Sequence, residues 1–313
     1  MSKNEIKTPG SLPLILAYLT VYIVWGSTYF FIRKALIGFP PFLLGGIRFM
    51  LAGLITMIWV FWKKENLFDR ATIQSAAISG FFILFIGNGT VIFVEQYVGS
   101  AWVAIIISAA PLWYVLYDRR HWKENFNSKS ILTGLFLGMI GIFLLFLPNF
   151  TKTGRTDGNP YERIALFAII LSSMSWVVGS LYVKYKKTQS PAIVNTTWQL
   201  FFSGLYFFIG AAFTGEYPSF HWSAVTGEAW ASLAYLVLFG SILAYSCFVW
   251  LMEVRSPAQV STYAYVNPVV AVLLGVFLAS EHIGLLQIAG LLVILFSVLL
   301  INLNKYIKRP RIA

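Results

Sequence analysis

Residues 41–62 read PFLLGGIRFMLAGLITMIWVFW, with Arg48 as their only charged residue. A bilayer core of roughly 30 Å is crossed by about 20 helical residues, so this run predicts a membrane-spanning helix. Pro40 and Pro41 stand where a first helical turn tolerates a missing N–H. Runs of the same kind flank it at 13–32, 73–94, 98–117 and 130–148, then at 162–183, 192–214, 230–252, 257–279 and 283–304. Pro191 and Pro257 open the seventh and ninth. Spans of a β-barrel would be about ten residues long and alternate in polarity, which these do not. The expectation is an all-α polytopic membrane protein with ten transmembrane helices.

Composition agrees with that reading. Of 313 residues, 58% are hydrophobic and 11% charged, with a mean hydropathy of +0.74. A soluble domain so composed could not cover its surface with polar groups, so the solvent is lipid. The runs leave no room for a soluble catalytic domain. Lys3 and Lys7 precede a full-length span without a small-residue cleavage site, so the first helix is expected to stay in the protein.

The net charge of +11 does not imply nucleic acid here, because the basic residues gather in short loops. Seventeen Lys and Arg fall on the side of the N-terminus and five on the other, with Arg48 inside a span. Such a bias predicts an inner-membrane protein with both termini cytoplasmic. Cys247 is the single cysteine, and His121, His221 and His282 share no ligand spacing, so neither a metal site nor a cofactor is expected.

The two halves repeat each other. A shift of 151 places Trp25 on Trp176 and the stretch Arg48–Leu54 on Gln199–Leu205. A shift of 157 places Ser100-Ala101 on Pro257-Ala258, Pro111 on Pro268 and Glu124 on Glu281. Five spans per unit send the second copy into the membrane from the opposite face, giving two inverted five-helix repeats. The expected layout is a first repeat over 13–148, a periplasmic linker over 149–161, a second repeat over 162–304 and a cytoplasmic tail over 305–313.

Several residues stand out against the apolar background. Tyr22, Trp25 and Tyr29 share one face of the first span, and Ser172, Trp176 and Ser180 form the matching stripe in the sixth. Rings mixed with hydroxyls suit a cavity for an amphipathic solute, and tight helix packing is the competing reading, favoured for Gly26 and Gly179. A guanidinium at Arg48 costs several kcal/mol in lipid unless it is paired or faces water. It could grip a carboxylate with its planar fork, or snorkel over about 10 Å of helix to the outer interface. Asn88 lies between Gly87 and Gly89. Tyr263 and Asn267 face the same way in the ninth span, where Pro268 predicts a kink and a freed carbonyl. Tyr245, in the eighth span, completes the candidate substrate-binding set of Trp25, Tyr29, Arg48, Asn88, Trp176, Ser180, Tyr245, Tyr263 and Asn267.

Missing motifs narrow the function. No GxxxxGK[ST] phosphate loop and no His-Glu-x-x-His occur, which argues against an ATPase and a membrane hydrolase. All twelve acids, including Glu95, Glu253 and Glu281, fall in tails, loops or span ends, so a proton relay lacks a midplane carboxylate.

Trp25-Gly-Ser-Thr-Tyr-Phe30, Pro40-Pro41 before Arg48-Phe49, Gly87-Asn-Gly89, Glu95-Gln96, Leu238-Phe-Gly-Ser241 and Ser261-Thr-Tyr-Ala-Tyr-Val-Asn-Pro268 look like the EamA branch of the drug/metabolite transporter superfamily. The resemblance is closest to its YedA-type bacterial permeases and covers residues 14–304. It implies ten helices, an inverted repeat, a central cavity lined by both halves, and transport of small metabolites, often amino acids or their analogues. Val177-Val178 stands where a second Trp-Gly would be, so the two opening helices need not contribute equally. The resulting expectation is a secondary transporter, an exporter of small amphipathic metabolites, with its cavity among the first, second, third, sixth, eighth and ninth helices. A membrane-embedded lipid-modifying enzyme and a non-transporting scaffold are the alternatives from other classes.

Overall fold

A computed structural model describes residues 10–97, 103, 106–152, 160–186, 188, 190–279 and 284–307. Expectations for Ser100, Ala101, Glu281, His282, the centre of the 149–161 linker and the tail beyond Ile307 lie outside the described residues. Those described are helical, without a strand among them. Ten longer helices follow in chain order: α1 (Ser11–Ala35), α2 (Pro41–Trp62), α3 (Arg70–Val94), α4 (Ala110–Tyr117), α5 (Lys129–Lys152), α6 (Pro160–Tyr185), α7 (Ala192–Phe213), α8 (Gly227–Val254), α9 (Tyr263–Ala279) and α10 (Leu285–Ile307).

Local chemistry sets their starts. Pro41 occupies the first turn of α2. The Asp69 carboxylate accepts from the Thr72 N–H at 2.9 Å to cap α3, and the Thr226 hydroxyl accepts from the Ala229 N–H at 3.2 Å to cap α8. Seven helices among the described residues are long and apolar enough to cross a membrane, or eight if the pair Arg119–Asn127 and Lys129–Leu145, bent by 89°, forms one span. Ten spans are therefore met in part, because α4 and α9 are described over 8 and 17 residues, too short for that test.

Helices pair across the two halves. α2 packs on α7 and α5 on α10, while α1 lies against α8 and α9 as α6 lies against α3 and α4. Glycine makes the closest approaches. A Cβ on Gly53 would lie 2.7 Å from the Phe201 nitrogen, and one on Gly204 2.7 Å from the Met50 nitrogen, so the α2 and α7 backbones touch at residues 151 apart. Gly26 and Gly179 are packing residues too, their missing Cβ positions 2.5 Å from Val270 Cβ and 2.6 Å from Ile83 Cγ1.

One feature has no signal in the hydropathy pattern. α3 widens to a π-helix over Phe81–Asn88 and α8 does so over Leu236–Ala244. A π-turn leaves a carbonyl without its usual helical donor, and side chains of the facing helices fill in. Trp25 Nε1 donates to the Gly240 carbonyl at 3.2 Å, and Ser175 Oγ donates to the Phe82 carbonyl at 2.8 Å.

Candidate functional site

Where α1, α2, α3, α6, α8 and α9 converge, a cavity of ≈ 730 Å³, counting its open mouth, is left between them, and Ala110 at the start of α4 adds a helix that the sequence reading did not include. α1 contributes Trp25, Thr28 and Tyr29; α2 Arg48 and Phe49; α3 Asn88 and Val91. α6 adds Ser172, Ser173 and Trp176, α8 Ser241 and Tyr245, α9 Tyr263 and Asn267. Eight of the nine expected site residues thus meet around one space. Ser180 does not: it is 1% exposed, off the cavity wall, and its hydroxyl donates to the Trp176 carbonyl at 2.7 Å. A helical turn carries it past the wall that Ser172 and Trp176 reach.

Arg48 supplies the charge of the cavity. It is 2% exposed, so its guanidinium is held inside and does not snorkel. Nε donates to Ser241 Oγ at 2.8 Å, Nη1 to Asn88 Oδ1 at 3.4 Å, and Cζ stands 4.8 Å from the Phe49 ring centre. Both hydrogen-bond partners are neutral. No carboxylate lies within ion-pair distance of it among the described residues. Gln199, 151 positions on, occupies the matching place in α7, with Nε2 donating to Ser79 Oγ at 2.8 Å and Oε1 accepting from the Tyr245 hydroxyl at 2.9 Å. The amide is satisfied at both ends, whereas the guanidinium keeps donors to spare, so the anion-seeking group sits on one side of the cavity only.

Aromatic rings make the rest of the wall. Trp25 lies 5.3 Å from Trp176 and 5.0 Å from Tyr263, both edge to face, and 5.1 Å from Phe248. Past this layer, Tyr22 and Thr262 share a hydrogen bond of 2.6 Å, so Tyr22 seals α1 to α9 and does not line the cavity. Trp176, Ser173 and Asn267 belong to the wall, and their Nε1, Oγ and Oδ1 atoms are buried without a hydrogen bond among the described residues, the Tyr114 and Tyr263 hydroxyls standing beside the Trp176 ring. Buried polar atoms left unpaired in a cavity wall call for a partner, which water or a solute can supply.

Arg48 thus sits buried in a neutral, hydrogen-bonded bed at the cavity wall. The EamA-like transporter family model matches residues 12–147 and again 163–303. The chain belongs to the EamA-like transporter family. Within it, this EamA chain is 33% identical over 297 residues to the uncharacterized inner membrane transporter YedA of Escherichia coli K12, covering 95% of this chain and 92% of that one. It is 28% identical to Protein PecM of Dickeya dadantii, with 92% of each chain covered, and 26% identical to the uncharacterized transporter sll0355 of Synechocystis, with 97% and 94% covered. A solved crystal structure shares the fold at a TM-score of 0.74 and 15% identity, across 96% of this chain and 100% of that one.

Sequence reasoning missed Thr28, Ser173 and Ser241 as wall residues. Ser241 carried a signal within the Leu238–Ser241 motif, and it meets Arg48 from within the π-helical stretch of α8. The burial of Glu95 carried no signal in the sequence. The residue follows the last turn of α3 as a span-end acid should, yet it is 8% exposed, and neither carboxylate oxygen has a hydrogen-bond partner among the described residues.

Proposed function

We propose that the chain is a secondary carrier, not an enzyme, which exports amino acids or related small amphipathic solutes by alternating access. In this reading ten spans form two inverted repeats with both termini in the cytoplasm, and the halves rock about the cavity near the bilayer midplane. Arg48 carries the reading. A guanidinium buried in lipid surroundings against two neutral partners is stabilised in full only when an anion joins it, and a solute carboxylate fits its two-pronged geometry. The rings of Trp25, Trp176, Tyr245 and Tyr263 supply apolar area for the body of the solute, and Asn267 Oδ1 accepts from an amino or hydroxyl group. The recurrence of the α1–α8 and α6–α3 pairings, and of the family match in each half, supports the two-repeat arrangement.

A toxicity screen tests it. Cells with and without the protein are challenged with a panel of amino acids and analogues, and the producing cells are expected to survive those that are exported and to retain less of them. Equal survival and equal retention across the whole panel overturn the reading. A reporter fused after Ala313 is expected to behave as cytoplasmic, and periplasmic activity there overturns the topology.

A further inference from the structure

The cavity wall carries one charge. Arg48 is its single charged side chain, and no Asp or Glu lines it among the described residues. The sequence adds no charge at positions 98–102, 104 or 105, just before Ile107 of the wall. Glu95 stands outside the wall and forms no ion pair with Arg48. Two of the five guanidinium N–H groups are committed, at Nε to Ser241 and at Nη1 to Asn88. The other three, one on Nη1 and both on Nη2, have no hydrogen-bond partner among the described residues. Gly240 leaves room beside Nη2, since a Cβ there would lie 3.1 Å from that nitrogen. The unpaired polar atoms elsewhere in the wall, Ser173 Oγ, Trp176 Nε1 and Asn267 Oδ1, are all neutral.

A wall of this kind sorts solutes by net charge. A free amino acid brings a carboxylate and an ammonium, and only the carboxylate finds a counter-charge there. With water excluded, the ammonium is left to neutral oxygens and ring faces, which compensate a buried cation far less than a carboxylate does. A hydroxyl or an acylated nitrogen in the same place carries no charge, so the pair of guanidinium and carboxylate balances. We propose that the cavity is selective for monoanions: a carboxylate on a neutral apolar or aromatic body, as in an α-hydroxy acid or an N-acylated amino acid, is held in preference to the free amino acid. This rests on the carrier reading and names the charge class of its solute.

The test uses triads of one shape and three charges. They are phenyllactate, phenylalanine and phenethylamine; indolelactate, tryptophan and tryptamine; and α-hydroxyisocaproate, leucine and isopentylamine. At about pH 7 the members of each are an anion, a zwitterion and a cation. Binding to the full chain in phosphatidylcholine nanodiscs is measured by calorimetry. In the triad that binds most tightly, the hydroxy acid is expected to bind about 10-fold or more tighter than the amino acid, with the amine weakest. The amine keeps the apolar body, so affinity for that body alone would hold it as well. In Arg48→Gln the preference for the anion is expected to disappear. The order within the triads needs no variant, so the test stands even where Arg48→Gln does not fold. An amino acid or amine that binds as tightly as its hydroxy acid in that triad, no binding by any probe, or an undiminished preference in Arg48→Gln overturns the proposal. Binding is read without flux, so an empty toxicity screen removes the carrier reading and a wrong order in the triads removes this one.

Discussion

Trp25 and Trp176, residues 151 apart in the chain, meet edge to face with ring centres 5.3 Å apart and planes inclined by 86°. The matching position of each half therefore touches its counterpart at the wall of the cavity. Their polar edges are treated differently. Trp25 Nε1 is held by the Gly240 carbonyl, and Trp176 Nε1 is left without a hydrogen bond.

That difference sets the first prediction. Trp25→Phe keeps a ring but loses the bond to Gly240, so it is expected to destabilise by about 1 kcal/mol, while Trp176→Phe loses no such bond and melts closer to the wild type. Both are expected to reduce transport, Trp176→Phe with membrane abundance nearly unchanged. Thermal melting of the purified variants alongside solute flux checks the order, and a larger melting loss for Trp176→Phe contradicts it.

Arg48→Lys retains the charge but not the Nε donor that reaches Ser241 at 2.8 Å. An ammonium cannot hold a carboxylate by two parallel bonds while staying tethered to Ser241 and Asn88, so transport is expected to fall by ~10-fold or more with folding preserved. Ser241→Ala removes one neutral partner and is expected to do less. Normal flux in Arg48→Lys would take the guanidinium out of the site.

The α2–α7 crossing is a matter of space. Alanine at Gly53 or Gly204 drives a Cβ to 2.7 Å from a backbone nitrogen of the other helix, where no side chain can give way. Either change is expected to cost about 1–3 kcal/mol through forced separation of the helices. Gly227→Ala is the control, since nothing lies within 4 Å of a Cβ there. Equal melting temperatures for all three would show that the crossing is looser than its geometry.

Outside the spans, Glu216 accepts from the Phe42 N–H at 3.1 Å and the Leu43 N–H at 2.8 Å, tying the chain after α7 to the start of α2. Burial nevertheless raises its carboxyl above the usual range, against the lowering by those two bonds. The folded protein therefore keeps the proton at a pH where the unfolded chain has lost it. Stability from this group is full below the ordinary carboxylate pKa and falls as pH rises through the higher folded value. Melting temperature should thus drop between mildly acidic and neutral pH more steeply in the wild type than in Glu216→Gln, and parallel curves would remove Glu216 as the cause.

Sequence alone settled what depends on composition and period. The run at 41–62 is apolar for long enough to need lipid, its one charge lines the cavity, and the shift of 151 ties Trp25 to Trp176 and Arg48 to Gln199. Hydropathy and repeat spacing are local or one-dimensional properties, so they survive without coordinates. Which residues face a shared space is not such a property. Ser180 belongs to the right stripe and still misses the wall, because a stripe fixes a direction around the helix and not a depth along it. Ser241 meets Arg48 from a stretch where α8 widens into a π-turn, whose Gly240 carbonyl accepts from Trp25 of another helix. Glu95 reads as a span-end acid in the chain, and it is buried, without a hydrogen-bond partner among the described residues, only when helices distant in sequence pack around the end of α3. Burial of a charge is decided by what packs against it, and for these residues the packing partners come from elements far apart in sequence.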